Sequence, residues 1–374
     1  MSSNVKGFKS TDTGAPSLTG EAGSLIALLD AVLVNGYNSG SVTSITRSGS
    51  TATVTRAGHG FQNGDCVLIE GADQAEYNGE FYISNVATDT FDFTVSGTPA
   101  TPATGTITAK RAPAGWLKSF SGTNKAVYRQ GGGNQFYLRV DDAGTTTARV
   151  VGYESMSDVD TGTAAFPTDA QVSSGLYWSK SSTGNATTRP WMIFATDSVL
   201  YLVVNTNSSS DGSNSFIGVF ADFKSYKPGD AYNTIIIGGT TSSPTSNNSF
   251  YRVSAITQAV AGHYVARSYT QLGSSIAIGK HTDLAKASGG DIGEDGLTYP
   301  NPVDNGLYLA RIFVHEPRAV RGELPGLWAP LHDRPLNHLD TFSGVGNLAG
   351  RDFLASMMYS SSQIFIETSN TWDQ

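Results

Sequence analysis

The sequence predicts a mainly β protein: a sandwich- or barrel-like main domain with one short N-terminal amphipathic helix and a small inserted β-barrel module. Three observations support this prediction. Many short segments alternate apolar and polar residues with a period of two, the period of a half-buried strand. Turn residues separate these segments, among them 42 glycines. The 374 residues are 39% hydrophobic and 10% aromatic but only 15% charged, a composition that favours a packed core over disorder.

The helix is predicted in the segment GEAGSLIALLDAVLVNGY, where apolar residues recur at helical spacing. Asn35 and Gly36 supply the left-handed conformation that commonly ends a helix. A helix of about 13 residues is marginal alone, so we expect its apolar stripe to pack on a sheet or a second helix. The stripe consists of Leu25, Leu28, Leu29, Val32 and Leu33.

Residues 41–111 are predicted to form the inserted module, and residues 1–40 with 112–374 the main domain, as one unit or as two subdomains. Six short alternating segments in 41–111 suggest a small barrel or sandwich, with a hairpin at Ser48-Gly49-Ser50. The predicted strands lie in SVTSITRSG, STATVTRAG, DCVLIEG, GEFYISNV, TFDFTVSG and GTITAKR.

The turns of this stretch have a recognisable pattern, RAGHGFQNGDCVLIEGADQAEYNGEFYISNV. Gly58, Gly60 and Gly64 permit sharp turns, and Asp65 can bond the backbone of its own turn. Asn78-Gly79 predicts a type I′ turn, and Tyr77 and Phe81 are expected to cover one end of the barrel. The stretch resembles a small β-domain that recurs in structural proteins of tailed bacteriophages.

Residues 112–374 continue with strand-like segments and exposed loops. The loops Asn205 to Ser215 and Gly238 to Asn248 lack apolar residues, and DLAKAS is a marginal helix signal. Strands are predicted in NQFYLRVDD, TARVVGYESM, PWMIFATDSVLYLVVNT, SFIGVFADF, NTIIIGG, FYRVSAI, SSIAIGK, GLYLARIFVHE and SQIFIETS.

A second resemblance spans nearly the whole chain. The segments that carry it are GSLIALLDAVLVNGY, AGWLKSFSGTNKAVYRQGGGNQFYLRVDD, ARVVGYESMSDVDTG, RPWMIFATDSVLYL and RGELPGLWAPLH. Together they look like an uncharacterised family of virion structural proteins from tailed bacteriophages, in which residues 41–111 would be an insertion. The resemblance implies location in the virion, with copies of the chain and other virion proteins as partners. A host surface glycan is a further partner that it admits.

Charge and segment composition argue against other classes. The net charge is −8, and the longest basic cluster is the segment AKR, so we expect no direct nucleic-acid binding. No apolar run approaches the roughly 18 residues of a membrane span. The polar N-terminus lacks the apolar core of a signal peptide, so we expect synthesis as a soluble protein in the host cytoplasm.

Candidate reactive groups are scattered. Cys66, the single cysteine, is predicted to be a buried structural thiol, with a nucleophile paired with His59 as the weaker alternative. None of the six histidines forms HxxxH or HExxH. His332, Asp333 and His338 could bind a metal, or they could form a polar loop that packs between subunits.

Acidic and glycine-rich segments offer further alternatives. Asp291, Glu294 and Asp295 suit either Ca²⁺ or an exposed acidic turn. The glycine-rich run Arg129 to Phe136 lacks the order of a phosphate-binding loop and predicts a wide hairpin turn. Two further sets could act on sugars, by cleavage or by stacking, although surface loops and core packing are the simpler interpretations: Glu154, Asp158 and Asp160; and Trp116, Trp178, Trp191, Trp328 and Trp372.

These alternatives leave no convincing catalytic, cofactor-binding or metal-binding residue, so the sequence predicts no enzyme. The favoured hypothesis is a structural component of a tailed phage virion, present as symmetric copies in the tail, baseplate or neck. The module would project outward. The second hypothesis is a glycan-binding adhesin, and the third is a polysaccharide-degrading tail spike.

Overall fold

The computed structural model describes residues 2–207, 212, 215–243, 250, 257–282, 296–358 and 362–373. Within the described residues, strands account for 46% and helical segments for 5%, and the single α-helix there is short and lies near the N-terminus, which confirms the mainly β prediction. The FYRVSAI strand (apart from Phe250), DLAKAS and the carboxylates Asp291, Glu294 and Asp295 lie outside the described residues, as do parts of the loops near 210 and 246.

Short strands follow one another along most of the chain. They are β1 (Ser2–Asn4), β2 (Lys6–Lys9), β3 (Tyr37–Ser41), β4 (Ser44–Ser48), β5 (Thr51–Thr55), β6 (Cys66–Ala72), β7 (Gly79–Tyr82), β8 (Thr90–Thr94), β9 (Gly105–Arg111), β10 (Leu117–Gly122), β11 (Lys125–Arg129), β12 (Tyr137–Asp141), β13 (Thr147–Met156), β14 (Gly162–Phe166), β15 (Leu176–Ser179), β16 (Trp191–Ala195), β17 (Val199–Asn205), β18 (Ser215–Asp222), β19 (Lys224–Ser225), β20 (Thr234–Ile237), β21 (His263–Val265), β22 (Ile276–Ala277), β23 (Gly279–Thr282), β24 (Leu309–Glu316), β25 (Ala319–Pro330), β26 (Thr341–Ser343), β27 (Asp352–Met357), β28 (Gln363–Glu367) and β29 (Thr371–Asp373). The helical segments are α1 (Ser24–Leu29), a π-helical turn (Asp30–Asn35) and two 3₁₀ turns (Ala75–Tyr77 and Gly346–Leu348).

Three sheets form the body of the molecule. The central sheet has the order β2-β16-β17-β18-β20-β21-β22. The front sheet has the order β10-β11-β12-β13-β14, with β15 also paired to β13. The rear sheet has the order β23-β24-β25-β28-β27-β26, with β19 also paired to β25. The two ends of the described chain pair with each other through β1 and β29.

The central sheet is buried on both faces. In β17, Leu200 and Leu202 belong to the core shared with the front sheet, whereas Tyr201 and Val203 belong to the core shared with the rear sheet. Burial on both faces explains the continuous apolar run of this strand, because neither face needs polar side chains. The body therefore has three packed layers, whereas a simple β-sandwich has two.

The predicted helix packs into the front core. All five residues of its stripe are buried there, and the helical segment ends at Gly36, whose φ is +71°. Its second half is π-helical rather than α-helical. The N-terminal end of helix α1 is capped by a residue that is distant in the sequence. An Asp142 carboxylate oxygen accepts hydrogen bonds from the Leu25 and Ile26 backbone amides at 2.8 and 3.3 Å.

The module forms two small sheets around a core of its own. The sheets have the orders β3-β9-β6-β7 and β4-β5-β8. Their shared core includes Ile45, Val67, Tyr77 and Phe91. All six predicted strands of the module are present as β4 to β9. The first of the two sheets also includes β3, which begins before residue 41 and pairs with β9.

Most local predictions for the module are confirmed, and one is wrong. Gly58, Gly60 and Gly64 all have positive φ, and β4 and β5 form a hairpin. Asn78 does not enter a type I′ turn, because its φ is −89°. Its side chain bonds the amide and the carbonyl of Ala72 at 2.9 and 2.7 Å instead, and this holds the preceding turn.

Candidate functional site

A large polar cleft lies where the module meets the body. It has a volume of about 510 Å³ and is bounded by β2, the module turn at 62–65, Arg111 and the segment 368–370. Exposed polar side chains from both units line it, including Lys9 and Gln62. A volume of this size accommodates a small ligand or part of a glycan.

Arg111 anchors the wall of this cleft and is only 3% exposed. Its guanidinium lies 2.7 Å from the Asp65 carboxylate and 3.6 Å from that of Asp12, and it donates to the Gly7 carbonyl. The Tyr37 hydroxyl also donates to Asp12, at 2.7 Å. Burial works to lower the pKa of Arg111, but Asp65, Tyr37 and Asp12 together raise it. The arginine therefore stays charged and acts as a structural link between module and body.

Two further contacts secure the module. The Lys6 ammonium, 5% exposed, donates to Glu80 at 2.6 Å and to the Pro113 carbonyl at 2.5 Å. The Tyr82 hydroxyl donates to the Val5 carbonyl at 2.7 Å. The module is thus attached to the body by side-chain contacts as well as by the two chain crossings.

Cys66 is a buried thiol, as predicted. It is 3% exposed, and burial raises its pKa to about 11. Both ring nitrogens of His59 contact the backbone. Its Nδ1 accepts a hydrogen bond from the Phe61 amide at 3.0 Å, and its Nε2 lies 3.3 Å from the Thr90 carbonyl oxygen. A thiol held in its neutral form without an adjacent base is a poor nucleophile.

His332 and His338 serve different parts of the fold. His332 is fully buried; its Nε2 accepts from the Tyr308 amide and its Nδ1 donates to the Thr298 carbonyl, both at 2.9 Å. His338 accepts from the Met357 amide at 3.1 Å, and Asp333 lies 3.2 Å from Arg334. The residues that the structure describes contain no group of three or more potential metal-binding side chains.

The glycine-rich run forms the predicted turn between β11 and β12, and it encloses a buried carboxylate. Asp222 accepts hydrogen bonds from the Gln130 side chain, the Asn134 amide and the Thr234 hydroxyl at 3.0, 2.8 and 2.5 Å. A Cβ at Gly133, whose φ is +56°, would overlap this carboxylate. The glycines therefore allow the turn to close on Asp222, and the turn contributes to the fold.

The three carboxylates considered for sugar cleavage are engaged in separate contacts. Glu154 forms a bidentate pair with Arg267 at 2.6 and 2.7 Å. Asp158 accepts from the backbone amides of Asp160 and Thr161. Asp160 lies between Lys125 and Arg139 at 2.8 and 2.6 Å. Each carboxylate holds a turn or joins two elements.

The five tryptophans belong to the interior. Each is at most 7% exposed, and each indole N–H donates to a protein oxygen between 2.8 and 3.2 Å away. Stacking of a sugar on these rings is excluded by their burial. Across the described ranges, no helix is long and apolar enough to cross a membrane.

Buried histidines are expected to make the fold sensitive to acid. Burial lowers the pKa of His59, so its stabilising contribution is complete above the unfolded pKa of about 6.5 and is lost as the pH falls below it. We expect the destabilisation caused by His59→Gln to shrink by about 1 kcal/mol between pH 7.5 and pH 5.5, measured by urea unfolding. A destabilisation that is constant or grows over this range would contradict the prediction.

Comparison of the sequence with protein-family models and with curated proteins gives no match.

Proposed function

We propose that this chain is a structural component of a tailed phage virion, present as symmetric copies in the tail, baseplate or neck. The observation that carries the proposal is that the candidate reactive groups are buried or are bonded to other residues of the fold. Cys66 is a buried thiol, and His332, Glu154 and Asp160 join elements of the fold through hydrogen bonds or ion pairs. The resemblance of the sequence segments to virion proteins points in the same direction.

The architecture suits a part of a particle that must transmit force between its neighbours. The central sheet shares one core with the front sheet and another with the rear sheet, so the three layers support each other. The module has its own core and is attached through Arg111 and Lys6. It can therefore project from the body and still transmit force to it.

Mass photometry of the purified chain tests assembly, and we expect rings or larger homo-oligomers. A short epitope inserted at the exposed β4–β5 turn, between Gly49 and Ser50, then allows the chain to be located by antibody labelling of intact particles. A strict monomer with no label on particles would refute the proposal.

Glycan binding is the second candidate, and the cleft at the base of the module favours it. Lys9 and Asp352 place an ammonium and a carboxylate in this 510 Å³ space, and such groups can bond sugar hydroxyls. Binding on a glycan array should be lost in Lys9→Ala and retained in Lys227→Ala, which lies outside the cleft. Equal binding by both variants would eliminate the cleft as the site.

A further inference from the structure

Lys180 and Asp142 form a lysine–carboxylate pair in the interior of the protein. Both side chains are 0% exposed. In every other lysine–carboxylate pair between described residues, at least one partner is 28% exposed or more. Two charges without contact to water are costly to keep as charges, even when they face each other.

The two carboxylate oxygens of Asp142 have different partners. Oδ1 accepts from the Lys180 ammonium, which also donates to the Glu21 carbonyl at 2.6 Å. Oδ2 accepts from the backbone amides of Leu25 and Ile26 at 2.8 and 3.3 Å. One oxygen therefore faces the lysine nitrogen, and the other is held by two N–H groups of the backbone.

Backbone hydrogen bonds fix both residues in this position. The Asp142 amide donates to the Asn124 carbonyl at 2.7 Å, and the Asp142 carbonyl accepts from the Gly23 amide at 2.9 Å. The Lys180 amide donates to the Thr146 carbonyl at 2.9 Å. The nitrogen and the carboxyl group are therefore held in contact by the fold, which removes most of the entropic cost of a reaction between them.

The surroundings favour the uncharged forms of both groups. Burial lowers the pKa of Lys180 and raises the pKa of Asp142, and the attraction between the two groups offsets each change only in part. Transfer of a proton from Nζ to Oδ1 gives an amine next to a carboxylic acid. A desolvated, uncharged lysine is a nucleophile.

We propose that Lys180 and Asp142 become joined by an isopeptide bond, an amide between Lys180 Nζ and Asp142 Cγ. The Nζ–Cγ bond forms and the Cγ–Oδ1 bond breaks. Oδ1 leaves as water with two of the three ammonium protons, and the third proton stays on the amide nitrogen. The positive and negative charges cancel, and the reaction consumes no oxidant, reductant or cofactor. The ion pair that the structure describes is the reactant.

The contacts of the pair suit both the intermediate and the product. Negative charge that develops on Oδ2 in the tetrahedral intermediate is stabilised by the Leu25 and Ile26 amides, which act as an oxyanion hole. In the product, Oδ2 is the amide oxygen and keeps both donors, and the amide N–H keeps the Glu21 carbonyl as its acceptor. The reaction therefore preserves these hydrogen bonds and removes two buried charges.

The bond links the end of β12 to the segment that follows β15, at positions 38 residues apart. The sequence has one cysteine, so an intrachain disulfide cannot supply such a cross-link. An isopeptide bond does not depend on redox conditions. The inference is independent of the proposed function, because it concerns chemistry within one chain.

Intact-mass measurement of the denatured full-length chain tests the bond. We expect the wild-type mass to be lower than the mass calculated from the sequence by one water molecule. Lys180→Arg should have its full calculated mass, because a guanidinium stays protonated and does not attack a carboxyl group. Lys118→Arg is the matched control: its pair with Asp30 is partly exposed, so this variant should still lack one water.

A tryptic digest of the wild-type chain locates the bond even if Lys180→Arg does not fold. Trypsin does not cleave after an acylated lysine, so residues 140–149 should be recovered joined to a peptide that is uncleaved at Lys180. A full calculated mass with normal cleavage at Lys180 would overturn the proposal. Loss of one water that persists in Lys180→Arg would also overturn it, and would assign the loss to a cyclised aspartate elsewhere.

Discussion

Replacing Lys180 with methionine is expected to lower the free energy of unfolding by about 3–5 kcal/mol. Lys180 and Asp142 form an ion pair in which both side chains are fully buried. The Lys180 ammonium also donates to the Glu21 carbonyl at 2.6 Å, and Asp142 caps the helix. Loss of the ammonium leaves a buried carboxylate without its counter-ion, and this is more costly than loss of the attraction itself.

Lys118→Met is the matched control. Lys118 lies 2.8 Å from Asp30, but these side chains are 28% and 25% exposed, so we expect a loss of at most about 1 kcal/mol. Urea unfolding at pH 7 compares the two variants. The Lys180→Met deficit should shrink as the pH falls, because protonation of Asp142 removes the uncompensated charge. Equal, small losses in both variants would contradict this account of the pair.

Trp372→Ala is expected to destabilise the protein by about 3–5 kcal/mol. The indole is 1% exposed, contacts the Tyr201 ring with centroids 5.4 Å apart and donates to the Glu367 carbonyl at 3.0 Å. Its removal leaves a cavity in the rear core, together with an unpaired carbonyl. Thr371→Ala, on the exposed side of the same strand, is the control and should cost below about 0.5 kcal/mol.

A double-mutant cycle isolates the packing of this indole. Gly326 has a φ of +68°, and a Cβ there would overlap the Trp372 ring. Gly326→Ala should therefore be severe in the wild-type background. In the Trp372→Ala background it should cost only the backbone strain, about 1–2 kcal/mol. Strictly additive losses from thermal or urea unfolding would show that the two residues do not compete for space.

Elements with a strong local period could be predicted from the sequence. The helix stripe, the module strands and the apolar run of β17 each reveal their burial through spacing alone. Strand β25 is absent from the predicted strands because Pro325 and Gly326 interrupt its pattern. The structure places both residues in an irregularity of the ladder, between the pairs Phe313–Glu323 and Arg311–Trp328, where a missing N–H is tolerated.

Long-range partners could not be predicted. Nothing near Asp142 in the sequence indicates that it caps a helix 117 residues earlier, or that Lys180 neutralises it. The roles of Glu154 and Asp222 likewise depend on Arg267 and on the glycine-rich turn, which only the tertiary fold brings close. A local sequence window identifies these groups as polar without showing what they bond.

Burial of the central sheet on both faces determines which parts of the molecule unfold locally. Backbone amide protons of β17 and β18 are hydrogen-bonded to neighbouring strands in a sheet that is covered on both faces, so we expect their exchange with deuterated solvent to report global unfolding. The module encloses a separate set of apolar side chains and can open without disturbing that layer. We therefore expect two populations of amide exchange rates, slow in the central sheet and faster in the module.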